Sequence, residues 1–256
     1  MTGGVASGPP VHVRFAATLP KSGGVDAECE DRIAFGWTGE CFRAAVADGA
    51  SASLMAGEWA DLLASGYREH GNDVVGDAFL KDLGARWHAA ARGKLLPWHA
   101  AAKRGRGAHA TLLGITFSAY GHWDALSVGD CCLFQVRADT LLTAFPVAHA
   151  CDFSDLPALI STEAVPNAAQ VRPLSGEWRA GDDFFLLSDA LAEWFLREGE
   201  SGARPHRWIV ALRAAANAPT LASWAAELRE LGRLRDDDIA VLHLRLGDAA
   251  SPVADA

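Results

Sequence analysis

The chain predicts an α+β fold with helices covering sheets. Strand-like segments follow one another in runs joined by tight turns, and helical periodicity comes in blocks between those runs rather than alternating with single strands. Half of the 256 residues are hydrophobic, enough for a sizeable core.

Taken in order, residues 1–10 (MTGGVASGPP) are small, Pro- and Gly-containing, and read as a flexible N-terminus. VHVRFAA (11–17), RIAFGW (32–37) and CFRAAVA (41–47) have strand character. Met55, Trp59, Leu62, Leu63 and Tyr67 share one helical face behind cap candidates Ser51 and Ser53, and 74–92 repeats the pattern through Phe79, Leu83 and Trp87. HATLLGITFSAY (109–120), HWDALSV (122–128) and CLFQVR (132–137) form a meander with turns at Gly121 and Gly129-Asp130. TLLTAF (140–145), DFFLL (183–187) and IAVLHLRL (239–246) complete the strands, and 191–196, 208–216 and 221–231 supply later helices. The segment 146–176, rich in Pro and Ala with weak periodicity, receives no element. These assignments give one domain over 11–246 and a flexible tail over 247–256.

A net charge of −9 argues against nucleic acid and against an anionic membrane as partner, since both reward basic surfaces. Five cysteines without CxxC spacing suggest reduced thiols and a cytoplasmic setting. The adjacent Cys131 and Cys132 would face opposite sides of a strand, so no mutual disulfide is expected. The N-terminus carries no signal-peptide pattern and no apolar run reaches bilayer-spanning length. Nine histidines include no HExxH, and no GxSxG elbow is present, which leaves zinc hydrolysis and a serine nucleophile unsupported. Trp59, Trp87, Trp194 and Trp224 are expected in packing roles. The basic stretch KRGRGAH around Gly105 and Gly107 reads as a solvated loop.

Five acidic motifs lie where hydrophobic runs meet turns: Glu30-Asp31, Asp48-Gly49, Gly129-Asp130, Ser188-Asp189 and Asp236-Asp237-Asp238. Carboxylates at strand ends suit a hard divalent cation, which takes oxygen ligands. Each motif has a plainer reading: a surface pair for Glu30-Asp31, turn chemistry for Asp48-Gly49, a helix N-cap at Asp189, and a solvated acidic loop at 236–238.

In combination the motifs carry a resemblance. ECEDRIAF (28–35), AAVADGAS (44–51), GAHATLLGITF (107–117, with Thr111), VGDCCLFQVR (128–137), GDDFFLLSDALAEWF (181–195) and RDDDIAVLHL (235–244) are similar, in this order, to the motifs of the type-2C (PPM) metal-dependent serine/threonine protein phosphatases in a compact bacterial form. The resemblance spans about 11–246 and implies a four-layer α/β/β/α sandwich of two antiparallel sheets flanked by helices.

It further implies two Mn²⁺ or Mg²⁺ ions and a weaker third. Asp48 would bridge the two, joined by the Gly49 carbonyl; Asp189 and Asp237 would complete one ion's shell, Glu30 or Asp31 would serve the other, and Asp130 would lie near the third position. Asp48 and Asp189 would act in catalysis through a metal-activated water on a phosphoserine or phosphothreonine of a phosphoprotein, with a Ser/Thr kinase as a cognate partner and a flap within 146–176. This sequence departs from the family where an arginine is usual five residues before Asp31: it has Asp26 there, and Cys29 stands in place of the usual Asn. An acid at position 26 would repel phosphate, leaving Lys21 or Arg14 as stand-ins. Ala190 also replaces the commoner Gly. The departures motivate an alternative from another class, an inactive pseudophosphatase serving as a binding module; a phosphatase of small metabolites is a third reading.

Overall fold

In a computed structural model, the protein is described over residues 8–93, 107–154, 156–163, 170–214 and 220–247. The expectations for 1–7, 248–256 and Gly105 lie outside these residues. In chain order the strands and helices are β1 (Val11–Leu19), β2 (Arg32–Thr38), β3 (Cys41–Ala47), α1 (Ala56–His70), α2 (Asp77–Gly93), β4 (His109–Ala110), β5 (Leu112–Phe117), β6 (His122–Val128), β7 (Cys132–Arg137) and β8 (Thr140–Phe145). After them come β9 (Ile160–Ser161), β10 (Arg172–Glu177), β11 (Asp183–Leu187), α3 (Asp189–Glu200), α4 (Pro205–Ala214), α5 (Leu221–Glu230) and β12 (Ile239–Leu246).

One five-stranded sheet has the order β1-β12-β11-β7-β8 and the other β10-β6-β5-β3-β2; β4 and β9 form a small pair. Every ladder is antiparallel.

Strand alternation builds the layers. In β3, Phe42, Ala44 and Val46 point into a core shared with Phe184, Leu186, Leu242 and Leu244 of the other sheet, while Ala45 and Ala47 point toward Trp59, Leu63 and Trp87 of α1 and α2. The other sheet repeats this arrangement: Phe134, Phe185 and Val241 face Leu191, Phe195 and Trp224 of the later helices. Three apolar layers between four structural ones give the α/β/β/α sandwich. Trp59, Trp87, Trp194 and Trp224 are all buried packing residues, as expected. Cys131 joins the inter-sheet core and Cys132 the helix-facing one, and all five cysteines are free thiols.

Several expectations need correction. The run 109–120 is two strands, broken at Thr111 and ending at Phe117. The segment 146–176 holds β9 and most of β10. β10 (RPLSGE) escaped notice because, among the described residues, it is a sheet edge paired with β6 alone, a position that tolerates Pro173 and Gly176. A Cβ on Gly176 would lie 2.4 Å from the Trp123 ring, so the missing side chain is what lets that indole cover the edge. The first of the later helices begins at Asp189, not near Leu191.

Candidate metal centre

Ladder register brings the acidic motifs to one end of the sandwich. Ala47 pairs with Arg32, Val46 with Leu113, and Leu112 with Val128, so Asp31, Asp48, Thr111 and the Gly129-Asp130 turn leave the first sheet together. In the other sheet Leu187 pairs with both Cys132 and Val241, and Leu19 with Ile239, placing Asp189 and the 236–238 acids at the same edge.

Local bonds fix the pieces. Thr111 N donates to Asp48 O at 2.8 Å, Asp48 N donates to Thr111 Oγ1 at 3.3 Å, and that buried hydroxyl also shares a 3.1 Å hydrogen bond with Cys131 Sγ. One side chain thereby joins the starts of β5 and β7 to the end of β3. A Cβ on Gly49 would lie 2.6 Å from the Ala56 carbonyl carbon, so glycine here lets the start of α1 pack directly on the loop. Gly129, at φ +101°, turns the chain toward Asp130 in a conformation L side chains avoid.

The 236–238 acids divide their work. Asp238, 5 % exposed, accepts Lys21 N at 2.9 Å and Glu30 N at 2.6 Å, clamping both ends of the β1–β2 loop. Asp236 accepts Ser22 N at 2.8 Å. Asp237 Oδ1 accepts the next backbone amide, at 2.9 Å. The solvated-loop reading therefore fails for Asp238. Glu30 is held at the same place, its carbonyl accepting Gly49 N at 3.3 Å. At Asp189 the N-cap is Ser188; Asp189 is the first helical residue, and its Oδ1 accepts Ala190 N at 2.6 Å. Ser188 Oγ accepts Ala240 N at 2.8 Å and ties α3 to β12.

Electrostatics record the crowding. Burial, then the charges of Asp31, Asp189, Asp130 and Asp237, push the Asp48 carboxyl well above the carboxylate range. Asp31 is pushed up to about 8 by burial, with Asp189 and Asp238 adding to it, and Asp130 to about 7 by burial and then Asp189. Burial also raises Asp189, against the opposing pull of Arg235.

Both carboxylate oxygens of Asp31 and Oδ1 of Asp130 are buried without a hydrogen-bond partner. Buried carboxylate oxygens normally have partners, and an all-oxygen set of this kind suits a hard divalent cation. The residues thus fit such an ion in chemistry. As they stand, among the described residues no three His, Cys, Asp or Glu side chains form a ligand group, and the Arg235 guanidinium lies between Asp189, Glu193 and Asp237.

Of the two proposed phosphate-gripping cations, Lys21 reaches the rim: its Nζ lies 3.4 Å from Ser51 Oγ, two residues past Gly49. Asp26 is exposed in a 3₁₀ turn (Asp26–Glu28). Sequence reasoning had Asp238 within the acidic motif but not its clamping role, and it missed Arg235 and Glu193; the available signal was an arginine directly preceding three acids.

A family model described as protein phosphatase 2C matches residues 24–230. Among solved structures, the photosystem II phosphatase PBCP superposes with a TM-score of 0.57 at 16% identity, over 92% of this chain and 98% of that one. The serine/threonine phosphatase PstP/Ppp of Mycobacterium tuberculosis gives 0.53 at 19% identity, over 91% and 98%. The PstP catalytic domain in complex with two manganese ions gives the same values: TM-score 0.53, 19% identity, and coverage of 91% and 98%. These identities establish a shared fold. A search of curated protein sequences finds no match.

Proposed function

The chain belongs to the protein phosphatase 2C family, and on that premise we propose that it is a metal-dependent phosphoprotein phosphatase acting on phosphoserine or phosphothreonine in the cytoplasm. The observation that carries this reading is the pair of buried acids, Asp31 with both oxygens and Asp130 with its Oδ1 lacking a hydrogen-bond partner, at the sandwich end where Asp48, Asp189 and Asp237 also emerge.

The residues that would hold two Mn²⁺ or Mg²⁺ ions are Asp48 and the Gly49 carbonyl, Asp189 and Asp237, and Asp31 or Glu30, with Asp130 beside a third, weaker position. Bound there, divalent ions supply Lewis-acid activation of a water and offset charge on the transferring phosphoryl group. The chain's own part is positional. Thr111 and Gly49 hold Asp48 at the end of β3, Ser188 and Ala190 fix Asp189, and Asp238 orients the loop that carries Lys21 to the rim. Lys21, exposed at the rim, would be the cation that meets a substrate phosphate where Asp26 cannot. A phosphoprotein is the substrate class, with a Ser/Thr kinase as its counterpart.

The test is turnover of p-nitrophenyl phosphate and of phosphoserine or phosphothreonine peptides with added Mn²⁺. Asp48→Asn and Asp189→Asn should each abolish it; activity retained in both removes the assignment. Asp26 favours a second reading, a binding module without catalysis. Calorimetric Mn²⁺ titration alongside turnover separates the two, since metal uptake without hydrolysis supports the module.

A further inference from the structure

Three carboxylates, two from the first turns of α3 and one from the loop before β12, converge on one guanidinium. Arg235, in the loop before β12, hydrogen-bonds Asp189 Oδ2 through Nη2; its Nη1 lies 3.8 Å from Glu193 Oε2 and its Nε 3.9 Å from Asp237 Oδ2. Which oxygens are involved decides the argument. Asp189 Oδ1 is taken by Ala190 N and Asp237 Oδ1 by Asp238 N. The oxygen of each that no backbone amide engages is Oδ2, and both Oδ2 atoms face Arg235. Asp31 is different, because no guanidinium faces it: the Ser188 and Asp48 side chains are its polar neighbours, and neither of its buried oxygens has a hydrogen bond of ordinary geometry.

We propose that Arg235 is a built-in counter-ion that competes with a divalent cation for Asp189 and Asp237. One side of the centre, at Asp31 and Asp48, fills directly; the other fills only in exchange for the guanidinium. This inference rests on the metal reading above. Two like charges cannot share the inner side of the same pair of carboxylates, so the exchange follows from charge and space. Glu193 gives the displaced side chain somewhere to go. It lies one turn along α3 from Asp189, is itself paired with Arg197, and is already within ion-pair distance of Arg235. Arg235 is thus a positioning residue that lowers metal affinity while compensating the metal-free acids.

The experiment titrates Mn²⁺ into the metal-stripped full chain by calorimetry and records melting in EDTA and in saturating Mn²⁺, for wild type, Arg235→Gln, Arg235→Lys and Asp48→Asn. Arg235→Gln should bind Mn²⁺ on the order of tenfold more tightly, the worth of one charge-assisted hydrogen bond no longer broken on binding. It should also melt lower than wild type in EDTA, with the gap closing in Mn²⁺. Equal or weaker Mn²⁺ binding by Arg235→Gln overturns the proposal. Should that variant not fold without metal, Arg235→Lys carries the test, because an ammonium keeps the charge but loses the fork that spans the carboxylates. Tighter binding than wild type then supports the proposal, and equal or weaker binding overturns it. Asp48→Asn separates the two levels: if it binds Mn²⁺ as wild type does, the metal reading itself fails. If it loses Mn²⁺ while the Arg235 variants gain nothing, only the counter-ion inference fails.

Discussion

The buried acids make the metal-free protein's stability fall as pH rises, and Asp130 allows that to be measured at a single position. Burial, helped by Asp189, raises its carboxyl from 3.8 to about 7, so the folded chain keeps a proton there that the unfolded chain has already released by neutral pH. A raised folded-state value contributes stability that is full below the unfolded value and is lost as pH climbs through the folded one. The window here runs from about pH 4 to about pH 7. Each unit of difference is worth about 1.4 kcal/mol, so roughly three units put the loss near 4 kcal/mol for this one group.

Asn at this position is neutral at every pH and removes the slope. In EDTA, Asp130→Asn should match wild type near pH 4 and exceed it by about 4 kcal/mol at pH 8. Urea denaturation at unit pH steps reads both curves, and their difference cancels the titrating groups that do not feel Asp130, leaving Asp130 together with its coupling to Asp48 and Asp189. Saturating Mn²⁺ should reverse the order at pH 8, because a bound cation stabilises the folded state in proportion to its affinity and the amide offers a poorer ligand. Parallel curves for the two proteins in EDTA would refute the placement of Asp130 in a buried, acid-lined site.

Two further substitutions test the architecture around the centre. Asp238→Ala removes the acceptor of Lys21 N and Glu30 N, two charge-assisted bonds at about 1.5–3 kcal/mol each. A loss of about 3–6 kcal/mol is expected in urea melts, and a loss under 1 kcal/mol would mean that the clamp is unimportant. Lys21→Ala should lower kcat/KM toward a phosphopeptide about tenfold, chiefly through KM, while Mn²⁺ affinity stays unchanged and Lys21→Arg restores the rate. A fall in Mn²⁺ affinity instead would place Lys21 among groups that shape the centre, not among those that meet substrate.

Much of the fold was legible because apolar period and turn chemistry agree where strands are central. Within CFRAAVA, DFFLL and IAVLHLRL, residues 44–47, 184–187 and 239–242 are buried on both faces and read as unbroken apolar runs, as sandwich strands between helices and a second sheet should. β10 was not legible, since an edge strand needs neither apolar continuity nor a full set of amides. The break at Thr111 was hidden for another reason: its hydroxyl and amide serve the neighbouring Asp48, and no local pattern records a bond to a residue 63 positions away.

The three consecutive acids show where local reasoning about the site stops. Sequence offers identical side chains at 236, 237 and 238 and two ways to make them tolerable, water or a cation. The fold applies a different solution to each. Asp238 is buried against the amides of Lys21 and Glu30, more than 200 residues away in sequence; Asp236 takes the exposed Ser22 amide and lies 3.4 Å from Arg229; Asp237 turns Oδ2 toward Arg235. The outer two hold the β1–β2 loop in place, and only the middle one is left for an ion. Both clamps act on backbone amides, which every sequence possesses, so nothing in the partner segment could have announced them. Arg235 is the exception: it adjoins the acids it neutralises. A cation next to an acidic cluster that resembles a metal motif is therefore a readable sign of competition for that cluster, and the Arg235 titration is the measurement that tests whether the sign holds.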